Sequence, residues 1–100
     1  MTTKSVSPLR QRMLDDMTVR NFVPDTQREY IRAVKNLTIF LGRAPDTATA
    51  EDLRAFQLHM SETGVRPPTI NATVTALRFF FKVTVDKPET ARHQIGRAHV

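Results

Sequence analysis

Arg28, Arg32 and Lys35 fall at intervals of four and three, so a helix would carry all three cations along one stripe. Arg78 and Lys82, four apart, would share a face of another helix. Just ahead of that pair stand Thr69, Asn71 and Thr73, short side chains able to donate and accept hydrogen bonds. Cations gathered on neighbouring elements neutralise phosphates. Hydroxyl and amide groups in the first turns of a helix add hydrogen bonds where backbone N–H groups and the helix dipole already favour an anion. The chemistry these residues suit is non-covalent recognition of a polyanion. Taken singly, each also has an ordinary reading: a solvated helix face for the charges, a cap or turn for Thr69, plain exposure for Asn71.

Covalent chemistry finds no comparable set. The chain has no cysteine, which excludes a thiol nucleophile, a disulfide framework and a cysteine zinc site. His59 has no partner at ligand spacing, and His93 and His99 stand apart from it. Asp15 and Asp16 are adjacent, so a helix points them in different directions, a poor geometry for shared acid–base work. Gly42, Gly64 and Gly96 are too dispersed for a phosphate-cradling loop. The single tyrosine, Tyr30, lies on an apolar stripe and reads as core. The expectation is no catalytic residue, no metal, no cofactor and no small-molecule substrate.

At 100 residues, with 40% hydrophobic and 25% charged side chains, the chain has the makings of one globular domain. No apolar run approaches the roughly 20 residues that cross a bilayer, and Met1 to Ser7 lacks the apolar stretch of a signal peptide. No membrane partner is expected. Fifteen Lys and Arg against ten Asp and Glu leave a net charge of +5. That excess admits a nucleic-acid partner and equally a plain basic surface. Its distribution is sharper. Residues 20–43 carry five cations against Asp25 and Glu29, and residues 64–87 carry four against Asp86. Between them, residues 44–63 set Arg54 alone against four acids. Two basic segments flank an acidic one.

The elements that must position these residues are four helices. Ser7-Pro8 has the pattern of an N-cap followed by proline at the first helical position, with Leu9, Met13, Leu14 and Met17 on one face to about Arg20. Asn21 to Pro24 breaks that helix. The second begins near Asp25 or Thr26, where Thr26 and Glu29 have capping-box spacing. Its stripe is Tyr30, Ala33, Val34, Leu37, Phe40 and Leu41, and Gly42 supplies a left-handed stop. After a connector over 43–48, Thr49-Ala50-Glu51-Asp52 opens the third helix with a cap and first-turn acids. Leu53, Phe56 and Met60 face inward there, and Gly64 ends it. The fourth runs from Pro68 or Thr69 to Val83, with Ile70, Val74, Leu77, Phe80 and Phe81 apolar. Phe79, Phe80 and Phe81 cannot all point inward on an α-helix, and Phe79 is the ring expected outside or docked elsewhere. Val83 to Val85 reads as the last helical turn rather than a strand, which would have no partner. The expected fold is all-α, a compact four-helix bundle.

The order of these features resembles the N-terminal core-binding domain of tyrosine recombinases, the phage-integrase family with its SAM-like bundle. The matching residues are Pro24-Asp25-Thr26-Gln27-Arg28-Glu29-Tyr30, Val34, Phe40-Leu41 and Thr49-Ala50-Glu51-Asp52-Leu53. Most specific are Pro68-Thr69-Ile70-Asn71 and Ala76-Leu77-Arg78-Phe79-Phe80-Phe81-Lys82. Phe79 departs from the pattern, since members often carry a small polar residue there. The resemblance implies one half of a C-shaped clamp on duplex DNA, with the second and fourth helices toward it. Its contact candidates are Thr26, Arg28, Arg32 and Lys35, and Thr69, Asn71, Thr73, Arg78 and Lys82. It also implies a bacterial, cytoplasmic, nucleoid-associated protein that assembles with other recombinase protomers for DNA integration and recombination. The nucleophilic tyrosine and its activating residues belong to a C-terminal domain that nothing in this chain matches, so the chain as written is expected to bind DNA without cutting it. A helical protein-interaction module and a helix-turn-helix regulator are the alternatives.

Residues 1–6 are expected to be a disordered N-terminus, 7–87 the helical domain and 88–94 the start of an interdomain linker. Ile95-Gly96-Arg97-Ala98-His99-Val100 continues no apolar period and looks like one reading frame of a sequencing adapter, a non-native tail after a truncated reading frame. A natural C-terminal tail is the alternative.

Overall fold

A computed structural model describes residues 8–86 of the chain. The elements are α1 (Pro8–Val19), α2 (Pro24–Leu41), a 3-10 turn (Pro45–Thr47), α3 (Ala50–Glu62) and α4 (Pro67–Phe79), continued by a π-helical turn (Phe80–Thr84). The described residues form no strand, and the fold is the expected all-α bundle. The cap expected at Ser7 lies outside the described residues, as do 1–6, Lys87, the linker over 88–94 with His93, and the tail over 95–100 with His99.

Proline and glycine chemistry sets most boundaries. Pro24 is the first residue of α2, so the helix starts one to two positions earlier than the sequence suggested. A proline at this position loses nothing, because the first N–H groups of a helix lack intrahelical partners. The cap is then Val23, without a side-chain bond, and the capping box expected of Thr26 and Glu29 does not form. Both residues lie inside the first turns instead. Prolines likewise open α4, which begins at Pro67 with Arg66 as its cap. The α1 stop is made by Asn21, whose left-handed φ of 61° lets the Phe22 N–H reach back to the Met17 carbonyl at 3.0 Å. Gly42 closes α2 at φ 72°, its N–H bonded to the Thr38 carbonyl. Thr49 and Asp52 form a complete capping box at α3, at 2.9 and 3.1 Å.

The core draws on every helix: Met13 and Met17, Ala33 and Leu37, Leu53, Phe56 and Met60, and Ala76, Leu77, Phe80 and Phe81. Leu9, Leu14, Tyr30, Val34, Leu41, Ile70 and Val74 pack against it from half-buried positions. Phe40 was expected in the core, but it is 36% exposed and stacks at the rim on Phe56 and His59, at 5.2 and 5.1 Å between ring centroids. The helical period assigned it to the apolar stripe; the packing distance to α3 decides how much of that stripe is covered.

The three consecutive phenylalanines are accommodated by a change of helix type. Past Phe79 the backbone widens to a π turn, with the Val85 N–H bonded to the Phe80 carbonyl at 2.8 Å. The turn buries Phe80, Phe81 and Thr84 together. Phe79, the ring expected to point elsewhere, is half-buried and docks on Phe22 and Tyr30, with centroids 5.3 and 5.7 Å away. The Arg20 guanidinium sits 5.7 Å over its outer face. Tyr30 thus belongs to an aromatic cluster that locks the α1–α2 corner onto α4. Thr84 has no exposed surface, and its hydroxyl donates to the Asp16 carboxylate of α1 at 2.9 Å. The bond satisfies a polar group that burial would otherwise penalise.

Candidate nucleic-acid interface

The interface candidates sit on α2 and α4, which make the broadest helix–helix contact of the fold. The two basic helices therefore lie side by side, the arrangement that phosphate binding requires. Arg28, Arg32 and Lys35 are all exposed and share one stripe of α2, as their spacing predicts. Arg28 is bonded to Asp25, and Arg32 lies 3.9 Å from Glu29, each acid one turn back along the same helix. Such exposed pairs contribute about 0–1 kcal/mol and exchange readily for a phosphate partner. Lys35 has no acid within one turn in either direction on its own helix. Thr26 is half-buried in the first turn, and its hydroxyl is less available than the sequence suggested.

On α4, Thr69 and Asn71 are exposed, and Thr69 takes no capping role because the helix begins two residues earlier. The ordinary reading of Thr69 as a cap is thereby removed. Asn71 and Arg78, two turns apart, lie on one exposed face, and Lys82 continues on the π turn, also exposed. Thr73 is half-buried on the inner side and falls out of that row. Two rows of polar and basic side chains result, one on each helix.

The α2 row borders something the sequence did not reveal. A groove of about 510 Å³ runs between α1 and α2, and its rim carries Arg28, Arg32 and Lys35 together with Arg10 of α1. No acidic side chain lines it. A larger groove of about 720 Å³ continues beyond Arg10 and Lys35, mainly apolar, with Asp46 as its acid. The α4 candidates line neither groove. Arg10 was missed because its only sequence signal is a basic residue early in α1; nothing local says that α1 brings it to the α2 stripe.

The acidic segment is separate. At the start of α3, Asp52 accepts from the Thr49 backbone N–H, the Thr49 hydroxyl oxygen caps the Asp52 N–H, and Arg43 binds the carboxylate. The Thr49 backbone bond, with smaller help from the Thr49 side chain and Arg43, holds Asp52 below the ordinary carboxylate value against a partial desolvation. That cluster serves the cap. Among the described residues no group of three or more His, Asp or Glu could hold a metal ion, and no helix is long and apolar enough to cross a membrane.

The profile of the phage integrase N-terminal SAM-like domain matches residues 9–90. This chain belongs to that family. It is also 43% identical over 83 residues to the candidate integrase/recombinase y4qK of Sinorhizobium fredii. The match covers 82% of this chain and 27% of the relative, so the chain spans about a quarter of that protein's length. No solved structure matches the chain at a significant level. The family match begins one residue into α1 and takes in the rest of the described bundle through the π turn.

Proposed function

We propose that this phage-integrase N-terminal domain is the DNA-binding half of a clamp in a tyrosine site-specific recombinase, acting in the bacterial cytoplasm with further protomers of its own kind. The observation that carries the reading is the pair of basic rows on adjacent helices of a phage-integrase domain. Arg28, Arg32 and Lys35 on α2, Arg78 on α4 and Lys82 on the π turn that continues it meet the phosphate backbone. Thr69 and Asn71 supply hydrogen bonds near it, while Thr26 and Thr73, half-buried, are less available to do so. Residues 7–87 act as the binding unit, and 88–94 lead toward a catalytic domain that supplies the tyrosine chemistry in the parent protein. The chain by itself binds duplex DNA and leaves it intact.

Fluorescence anisotropy with a labelled duplex at several salt concentrations tests this reading. Binding is expected to weaken linearly in log–log form as salt rises. Arg78→Ala combined with Lys82→Ala is expected to lower affinity and to flatten that slope by roughly 0.9 for each phosphate no longer neutralised. Unchanged affinity and slope in the double variant would remove α4 from the interface. Binding without any salt slope would point to a protein-interaction module instead.

A further inference from the structure

The groove between α1 and α2 has a composition that its position alone does not require. Four of its eight lining residues are cations, Arg10, Arg28, Arg32 and Lys35, and none is acidic. Three of them share one stripe of α2 and the fourth comes from α1, so it is packing that brings Arg10 to that stripe. The floor between them is partly apolar, through Leu14 and Ile31. A low-dielectric floor with cations on its rim strengthens the field felt by an anion lying in the groove. The adjoining groove, by contrast, is mainly apolar and carries Asp46, which opposes an anion there.

We infer that the α1–α2 groove is a phosphate-backbone track for duplex DNA, and that Arg10 of α1 is one of its contact residues. The inference rests on the DNA-binding reading above and extends the interface from α2 onto α1. An open groove lined by four cations from two helices fits a row of phosphates better than one small anion, which would need a closed cradle. Arg28 and Arg32 exchange their intrahelical acids for phosphate as DNA seats. Arg10 and Lys35 line both grooves, which puts their charge at the junction where the backbone would leave the track.

The test compares the wild-type domain with Arg10→Gln, Arg10→Lys and Arg54→Gln, using duplex anisotropy over a salt series and thermal melts by circular dichroism. Arg54 is an exposed cation on acidic α3 and controls for net charge. Arg10→Gln keeps most of the stem that packs at the rim; it is expected to lower affinity about two- to fivefold at low salt. It should also flatten the salt slope by about 0.9, while Arg10→Lys keeps the slope because only charge is needed. Arg54→Gln should leave the slope as it is. The inference is overturned if folded Arg10→Gln binds with wild-type affinity and slope, or if Arg54→Gln loses as much. It is also overturned if inorganic phosphate at millimolar concentration binds this groove and duplex DNA does not compete. A wild-type domain that binds no DNA at any salt overturns the DNA reading itself, a result distinct from the failure of Arg10 alone.

Discussion

Replacing Thr84 by valine keeps the shape of a fully buried side chain and removes only its hydroxyl, the group that donates to Asp16 at 2.9 Å across 68 residues of sequence. A hydrogen bond to a charged group contributes about 1.5–3 kcal/mol. Asp16 is half-buried, so water can replace part of what it loses, and the new methyl group is buried favourably. The net cost expected for Thr84→Val is therefore about 1–2 kcal/mol. Asp16→Ala is different, because it leaves the Thr84 hydroxyl buried and without this acceptor, at about 1–3 kcal/mol. Once the valine is present, removing Asp16 should cost little. The double variant is then expected to fall short of the sum of the singles by about 1 kcal/mol or more, a coupling typical of contacting residues. In a domain of this size each kcal/mol moves the melting temperature by roughly 4–8 °C, so urea and thermal denaturation resolve the cycle. Strict additivity would refute the reasoning. It would mean that Thr84 finds its partner within the π turn and that the α1 anchor contributes nothing.

Gly42→Ala is expected to destabilise by about 1–2 kcal/mol, because φ of 72° disfavours a Cβ, although nothing lies within 4 Å of one added there; Gly42→Asn should cost less, and equal melting curves for Ala and Gly would refute the left-handed stop. Asp52 titrates below its ordinary value near 3.8 in the folded state, so its contribution is present above that pH and lost as pH falls through the lower folded value. The stability gap between wild type and Asp52→Asn should accordingly be full at neutral pH and shrink below about 3.8 in acid melts; a gap independent of pH would show that the charge has no part in the cap.

Features that depend on a few consecutive residues were readable in advance. Gly42 and the Thr49 cap act through local backbone geometry, and both stand where the sequence placed them; the return bond from the Thr49 N–H to Asp52 that completes a box is a finding of the structure. The cation stripe on α2 follows from helical period alone, whereas Lys82 stands past α4 on the π turn, where that period changes. Competition between local signals was harder to judge. Thr26 and Glu29 have capping-box spacing, yet Pro24 takes the first helical position and the box has no end to cap. Phe40 has the period of a core residue and lies at the rim, because period names a face without saying how much of it a neighbour covers.

By itself the sequence determined four helices, their main stops, the inward stripes and the two basic rows, since each is written within one or two turns of chain. Tertiary packing decided the rest. The π turn exists because Phe80, Phe81 and Thr84 must face one core while Phe79 docks on Phe22 and Tyr30, a demand set by α1 and α2. Asp16 becomes a partner of Thr84 only when α1 lies against the end of α4. Arg10 joins Arg28, Arg32 and Lys35 only across the α1–α2 groove. Local rules state which face a charge takes; the angle and contact of whole helices state which other charges share it.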